Sequence, residues 1–315
     1  MQSLTRYEHG IVAIDSGYKK PIYDAIHLIV ENGRAAFIDT GTNDSVPAML
    51  AALDEFDIPR QNVDYVILTH IHLDHAGGAG LLMRELPQAQ LVVHPRGVRH
   101  MADPSRLVEA VFAVYGKEHT RALYGDILPI PLDRIIEASH EQTLALGDRE
   151  LLLLDSPGHA KHHIVIRDSR SGHIFTGDTF GLSYRHLDAG GRQFIYPTTS
   201  PSQFDPVALH RSVDMIAAFK PAAVYVTHYS QAHDVQRLAG DMHRLIDAQL
   251  EVAQRETDAG VERHQRIKHG LEQLMKKEAE QQGWKLQGHD ATDFFALDID
   301  LNAQGMEIWL DAQRA

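Results

Sequence analysis

Short apolar runs and amphipathic stretches alternate along the first two thirds of the chain. Residues 10–14, 25–30, 35–38 and 63–68 are dominated by Val, Ile, Leu, Ala and Phe, and each run is of strand length. Residues 91–93, 151–154, 164–166, 174–175 and 222–226 repeat the pattern. Between these runs the periodicity changes. Asp44-Ser45 opens a helix that continues through Ala51-Ala52-Leu53. Leu107, Val108, Val111, Phe112 and Tyr115 recur near a period of 3.6 and predict helix within residues 104–124. Asp205-Pro206 opens a further helix to Phe219, with the carboxylate at the N-cap and proline in the first turn. Strands that alternate with helices in this way predict an α/β class.

From Gln231 the alternation stops. Val235, Leu238, Met242, Leu245, Ile246 and Leu250 keep helical spacing, and Val261, Ile267, Leu271, Leu274 and Met275 resume it after Gly260. Residues 294–297 and 306–310 then form a short apolar tail. The pattern predicts an α/β domain over residues 1–230 and a helical appendage over residues 231–315.

The predicted strands share a feature at their C-terminal ends. Residues 63–68 run into Thr69-His70-Ile71-His72-Leu73-Asp74-His75, which concentrates three imidazoles and a carboxylate at one strand end. Residues 151–154 run into Asp155-Ser156-Pro157-Gly158-His159, residues 174–176 into Gly177-Asp178, and residues 222–226 into Thr227-His228. Neutral imidazole and carboxylate are the ligands of zinc, iron and manganese. Open α/β sheets place their sites at the carboxyl ends of strands. One histidine behind a strand is ordinarily structural; four strands each followed by ligand-type side chains predict a metal centre.

These motifs resemble the metallo-β-lactamase-fold superfamily of metal-dependent hydrolases. The resemblance rests on His70-x-His72-x-Asp74-His75, the Pro157-Gly158-His159 turn, the Asp178 and His228 strand ends, and the early Asp39-Thr40-Gly41 turn; it spans roughly residues 11–229. It implies a four-layer αββα sandwich with the C-terminal helical appendage attached. By the same resemblance, His70, His72 and His159 hold a first divalent metal, Asp74, His75 and His228 hold a second, and Asp178 bridges them. Zinc is the first expectation, with iron or manganese as alternatives. Two such ions, about 3.5–4 Å apart, share a bridging hydroxide and polarise a substrate oxygen. Metal-bound water reaches a pKa of about 7, so a nucleophile exists at neutral pH without a side-chain base.

Composition narrows the field. The chain has 315 residues, 43% of them hydrophobic, which suits a globular core. It has no cysteine, so thiol catalysis and disulfides are excluded. No nucleophile elbow, P-loop or dinucleotide fingerprint is present. The formal net charge of −13 and the absence of a dense basic cluster argue against a nucleic-acid partner. No apolar run approaches the roughly 20 residues of a membrane span, and residues 1–10 lack an apolar signal core, so a cytoplasmic location is expected.

Further residues are candidates around the metals. A metal-bound histidine ordinarily passes its other N–H to a carboxylate, and Asp39 is the candidate for that support. His163 begins a strand and is expected to pack behind the site, and neither it nor His162 is expected to be a direct ligand. The loop after Asp178 carries Tyr184, Arg185 and Tyr196 as substrate-contacting candidates. Tyr184 is placed to donate to a developing oxyanion, and Arg185 to bind an anionic group. Asp74, through the second metal, and Tyr184 are the candidate catalytic residues. The ligand set resembles glyoxalase II and lactonases, which implies hydrolysis of a small ester, thioester or lactone. A mononuclear-iron oxidoreductase of the persulfide-dioxygenase kind is a second expectation, and a signal-response or binding protein with residual hydrolysis a third. The apolar stripe of the appendage predicts a homodimer.

Overall fold

The computed structural model describes residues 4–199, 203–256, 260 and 262–313. Among these, the chain forms two compact units. The first takes the described residues up to Asp155, then His162–Gly177 and Val224–Gln231. The second takes Ser156–Lys161, Asp178–Ala223 and the chain from Ala232 onward. This division differs from the boundary expected at residue 230. The chain leaves the first unit after two strand ends, at residues 155 and 177, before it does so for the last time at residue 231.

The first unit is built on two mixed sheets. One has seven strands in sequential order: β1 (Leu4–Arg6), β2 (Ile11–Asp15), β3 (Ala25–Glu31), β4 (Arg34–Ile38), β5 (Val63–Ile67), β6 (Gln90–Val93) and β7 (Ile135–Glu137). The other contains β8 (Thr143–Leu146), β9 (Arg149–Asp155), β10 (Ile164–Asp168), β11 (Ile174–Gly177), β12 (Ala223–Val226) and β13 (Ser230–His233), in the order 13-12-11-10-9-8. The near-continuous apolar sequence of the central strands reflects burial on both faces. On one face Ile29, Ala36, Ile38 and Ile67 of the first sheet pack with Leu151, Leu153, Ile166 and Phe175 of the second. On the other face Ile26, Leu28 and Phe37 pack with Met49 and Leu53 of α1 (Val46–Glu55) and with Leu82 of α3 (Ala79–Glu85). The short α2 (Leu73–Ala76) precedes α3, α4 (Pro95–Ala102) follows β6 where no helix is predicted, and α5 (Ser105–Tyr115) and α6 (Lys117–Tyr124) occupy the predicted helical insertion.

Strand direction decides where the ligand-type residues fall. β4, β5 and β6 are mutually parallel, so Asp39 and His70 emerge at the same edge. β11 and β12 are parallel, and β9 runs the same way because both it and β11 are antiparallel to β10. The residues behind β9, β11 and β12 therefore leave one edge of the second sheet. Ile164 N–H donates to the Thr69 carbonyl at 2.8 Å, which ties the two edges together.

The second unit is largely helical: α7 (Pro206–Ala218), α8 (Val235–Arg255), α9 (Arg263–Gln282), α10 (Gly288–Phe294) and α11 (Ala296–Ala312). Asp205 caps α7 by accepting from Ala208 N–H at 3.0 Å, with Pro206 behind it, as the sequence predicts. The apolar stripe of α8 and α9 is buried at Leu238, Met242, Leu245, Ile267, Leu271 and Met275. The expected apolar tail is instead the long helix α11. Its buried positions Ile299, Ala303, Met306 and Leu310 are helically spaced but separated by Asp298, Asp300, Asn302 and Gln304, which hid the periodicity. Among the described residues no helix is long and apolar enough to cross a membrane.

Candidate metal centre

β5 ends in Thr69, whose main chain and hydroxyl are held by the Asp39 carboxylate. Thr69 N–H donates to Asp39 Oδ1 at 2.8 Å and Thr69 Oγ1–H donates to Asp39 Oδ2 at 2.8 Å. Asp39 Oδ2 also accepts from Thr227 Oγ1–H at 3.1 Å and from His75 Nδ1–H at 2.9 Å. One buried carboxylate thus fixes the starts of both the His70 loop and the His228 turn, together with one imidazole. The backbone at Asp39 has a φ of +60°, a conformation aspartate tolerates better than most residues.

The imidazoles follow a common rule. His228 Nδ1 lies 3.1 Å from the Tyr23 carbonyl and His159 Nδ1 lies 3.2 Å from the Thr198 carbonyl. A carbonyl only accepts, so each Nδ1 carries the proton and each Nε2 keeps its lone pair. His75 obeys the same logic through Asp39. The freed Nε2 atoms point toward carboxylates: His75 and His228 lie 3.9 and 3.8 Å from Asp74 Oδ2, and His159 lies 3.5 Å from Asp178 Oδ2. His70 Nε2 lies 2.8 Å from His72 Nδ1. Separations of this size between lone-pair donors match ligands that share an ion, and hydrogen-bonded outer nitrogens fix the tautomer such ligation needs.

Three groups of donor atoms result, each with all members within 4.8 Å of one another: His70, His72 and His159; His70, His75 and Asp178; and Asp74, His75 and His228. All seven sequence-predicted ligands fall in these groups. Every member is buried except His72 and Asp74, which are partly exposed. Imidazole and carboxylate without thiolate suit zinc, iron or manganese, so the residues present fit the metals that the sequence implies.

Two glycines make the close approach possible. A Cβ on Gly177 would meet Thr69 Cβ and His163 Nε2 at 2.7 Å, and its φ is +48°. A Cβ on Gly158 would meet the Leu209 backbone at 2.4 Å, at a φ of +137°. Both residues directly precede predicted ligands. His163 is fully buried and stacks on His70 with ring centroids 4.8 Å apart, packing where the sequence placed it.

The loop after Asp178 is a correction. Tyr184 is fully buried, and its hydroxyl donates to Asp298 Oδ1 at 3.2 Å among the rings of Phe294 and Phe295. Tyr196 is also fully buried, against Phe295, and burial pushes its phenol up. Arg185 donates through Nε to the Ser183 carbonyl at 3.0 Å and pairs with Asp188 at 3.2 Å. Phe180, Leu182, Phe194 and Ile195 make this loop apolar, so it forms part of the second unit's core. Tyr184, Arg185 and Tyr196 are engaged there rather than open to a substrate.

Sequence reasoning missed Asp24, which is fully buried at the start of β3. It also missed the Tyr23 and Thr198 carbonyls that orient His228 and His159. Main-chain acceptors leave no mark in side-chain identity, whereas Asp24 directly before an apolar strand was a legible signal.

A mixed α/β sandwich with imidazole and carboxylate donors gathered at strand ends defines the class of a metal-site protein. The family model of the metallo-beta-lactamase superfamily matches residues 25–228, and the chain belongs to that superfamily. It is 27% identical over 201 residues to the metallo-beta-lactamase fold-containing protein ST1585 of Sulfurisphaera tokodaii, covering 61% of this chain and 68% of that one. It is 30% identical over 179 residues to a hydroxyacylglutathione hydrolase of Xanthomonas euvesicatoria, covering 56% of this chain but only 51% of the relative. Among solved structures, the metallo-beta-lactamase family protein TTHA1429 of Thermus thermophilus superposes with a TM-score of 0.67 at 20% identity, over 97% of this chain and 94% of that one. The fold is thus the expected metallo-β-lactamase sandwich with C-terminal helices.

Proposed function

We propose that the chain is a metal-dependent hydrolase of a small ester, thioester or lactone, with two divalent ions in one centre. The observation that carries this reading is the composition of the middle donor group. It joins Asp178 to His70, a member of the first triad, and to His75, a member of the second. A carboxylate with one neighbour from each triad is the residue suited to span two ions. His70, His72 and His159 would hold one, and Asp74, His75 and His228 the other. Bound there, the ions would supply a neutral-pH nucleophile from water and polarise an acyl carbonyl. The chain's own residues do the positioning. Asp39 keeps the proton of His75 on Nδ1, the Tyr23 carbonyl does so for His228, and the Thr198 carbonyl for His159. The similarity to a hydroxyacylglutathione hydrolase supports the thioester among the three acyl classes.

The test is a substrate panel run on the zinc-, iron- and manganese-loaded protein. It contains thioesters, lactones and simple esters, with a persulfide assayed by oxygen uptake alongside. Hydrolysis of at least one acyl class, abolished by chelation and restored by metal, is the expected result. Oxygen consumption without hydrolysis would replace this reading by the oxidoreductase. Background turnover on every substrate would replace it by a binding protein.

A further inference from the structure

We infer that Asp24 is an outer carboxylate beside the second donor group, one that strengthens metal retention by Asp74, His75 and His228. The inference rests on the metal-site reading proposed above. Asp24 is fully buried, and neither of its oxygens accepts a hydrogen bond among the described residues. Such a carboxylate needs a physical reason to exist, because burying its charge without hydrogen bonds is costly.

Its surroundings supply one. β3 is antiparallel to β4, so Asp24, immediately before β3, lies toward the edge from which Asp39 emerges. The flanking main chain is pinned to the His228 turn on both sides. Ala25 N–H donates to the Thr227 carbonyl at 2.8 Å, and the Tyr23 carbonyl accepts from His228 Nδ1–H at 3.1 Å. The charged and titratable groups that act on Asp24 are His228, His75, Asp74 and Asp39, which are the ligands of the second donor group and the carboxylate that orients one of them. Burial pushes the Asp24 carboxyl up to about 7, against the pull of His228 and His75. No arginine or lysine is among these partners. A dication held by Asp74, His75 and His228 is the positive charge that would compensate it. Asp24 belongs to none of the three donor groups, which gives it an outer place, acting through charge rather than ligation.

Asp24→Asn keeps the shape and removes the charge. Full-length wild-type protein and the variant are stripped with chelator, reloaded with zinc alone and titrated against a competing chelator. Thermal unfolding of the metal-free forms is recorded in parallel. The wild type should take two zinc ions. The variant should hold one of them as tightly as the wild type and the other about 10-fold or more weakly, the range seen when outer residues of metal sites are removed. The metal-free variant should unfold at the same or a higher temperature, because a carboxylate without partners has been removed. If Asn is not accommodated, Asp24→Ser gives the same comparison with a smaller neutral group. Unchanged affinity for both ions overturns the assignment. A lower unfolding temperature of both metal-free variants also overturns it, since Asp24 would then be an ordinary structural carboxylate. A wild-type protein that takes no second ion defeats the two-metal reading itself, and this inference with it.

Discussion

Asp178→Asn should lower metal occupancy at both positions, whereas Asp74→Asn should empty one. The difference follows from how the donor groups overlap. Asp178 is grouped with His70 and His75, which belong to different triads, while Asp74 is grouped only with His75 and His228. The amide side chain keeps the shape of the carboxylate, so the fold is preserved. What it loses is the negative charge that would offset the two proposed dications, and the second oxygen that would ligate them. In Asp74→Asn the His70, His72 and His159 group is untouched. If the two ions act together, both variants lose activity by about 10²-fold or more, which at ~1.4 kcal/mol per tenfold is roughly 3 kcal/mol of barrier. Metal content and hydrolysis rate are measured on the same preparations. An Asp74→Asn protein with near-normal turnover and one ion would show that the second position is not catalytic. An Asp178→Asn protein that keeps both ions would move the bridge to another residue.

Asp39→Ala should be the most destabilising single change at the site, although Asp39 belongs to none of the three donor groups. Its carboxylate is almost fully buried and accepts from Thr69 N–H, the hydroxyls of Thr69 and Thr227, and His75 Nδ1–H. Alanine leaves these donors without an acceptor, and each unsatisfied buried group costs about 1–3 kcal/mol. It also places a non-polar residue at a positive φ that aspartate tolerates better. A loss of about 3–5 kcal/mol in the metal-free protein is expected, the range for breaking a buried charged network by removing one partner. The released His75 ring loses its fixed tautomer, so the Asp74, His75 and His228 group should weaken by about 10–100-fold in metal affinity. Denaturant unfolding of the metal-free form and chelator competition read the two effects separately. Unchanged stability would remove Asp39 from this structural role.

Much of this was legible in the sequence, and the exceptions have physical causes. The interior strands β2 to β6 and β9 to β12 stood out because each carries a short apolar run, as burial on both faces requires. The strands that did not stand out, β1, β7, β8 and β13, are the outer members of the two sheets. Each is short and paired on one side, and β8 buries only alternate residues. The ligand-type residues behind strands were visible because residue type and strand end coincide. Asp24 was passed over because it precedes its strand rather than follows it. An antiparallel strand brings its first residue, rather than its last, to the edge where the site forms. Tyr184, Arg185 and Tyr196 were assigned by their nearness in sequence to Asp178. The apolar residues between them, Phe180, Leu182, Phe194 and Ile195, were the better guide, because they carry the loop into the core of the helical unit.

The proposed two-metal centre is tested most directly by elemental analysis of the full chain, purified without chelator and dialysed against metal-free buffer. The account predicts a stoichiometry approaching two divalent ions per chain, falling to about one in Asp74→Asn. A wild-type value of one that added zinc, iron or manganese does not raise would contradict it.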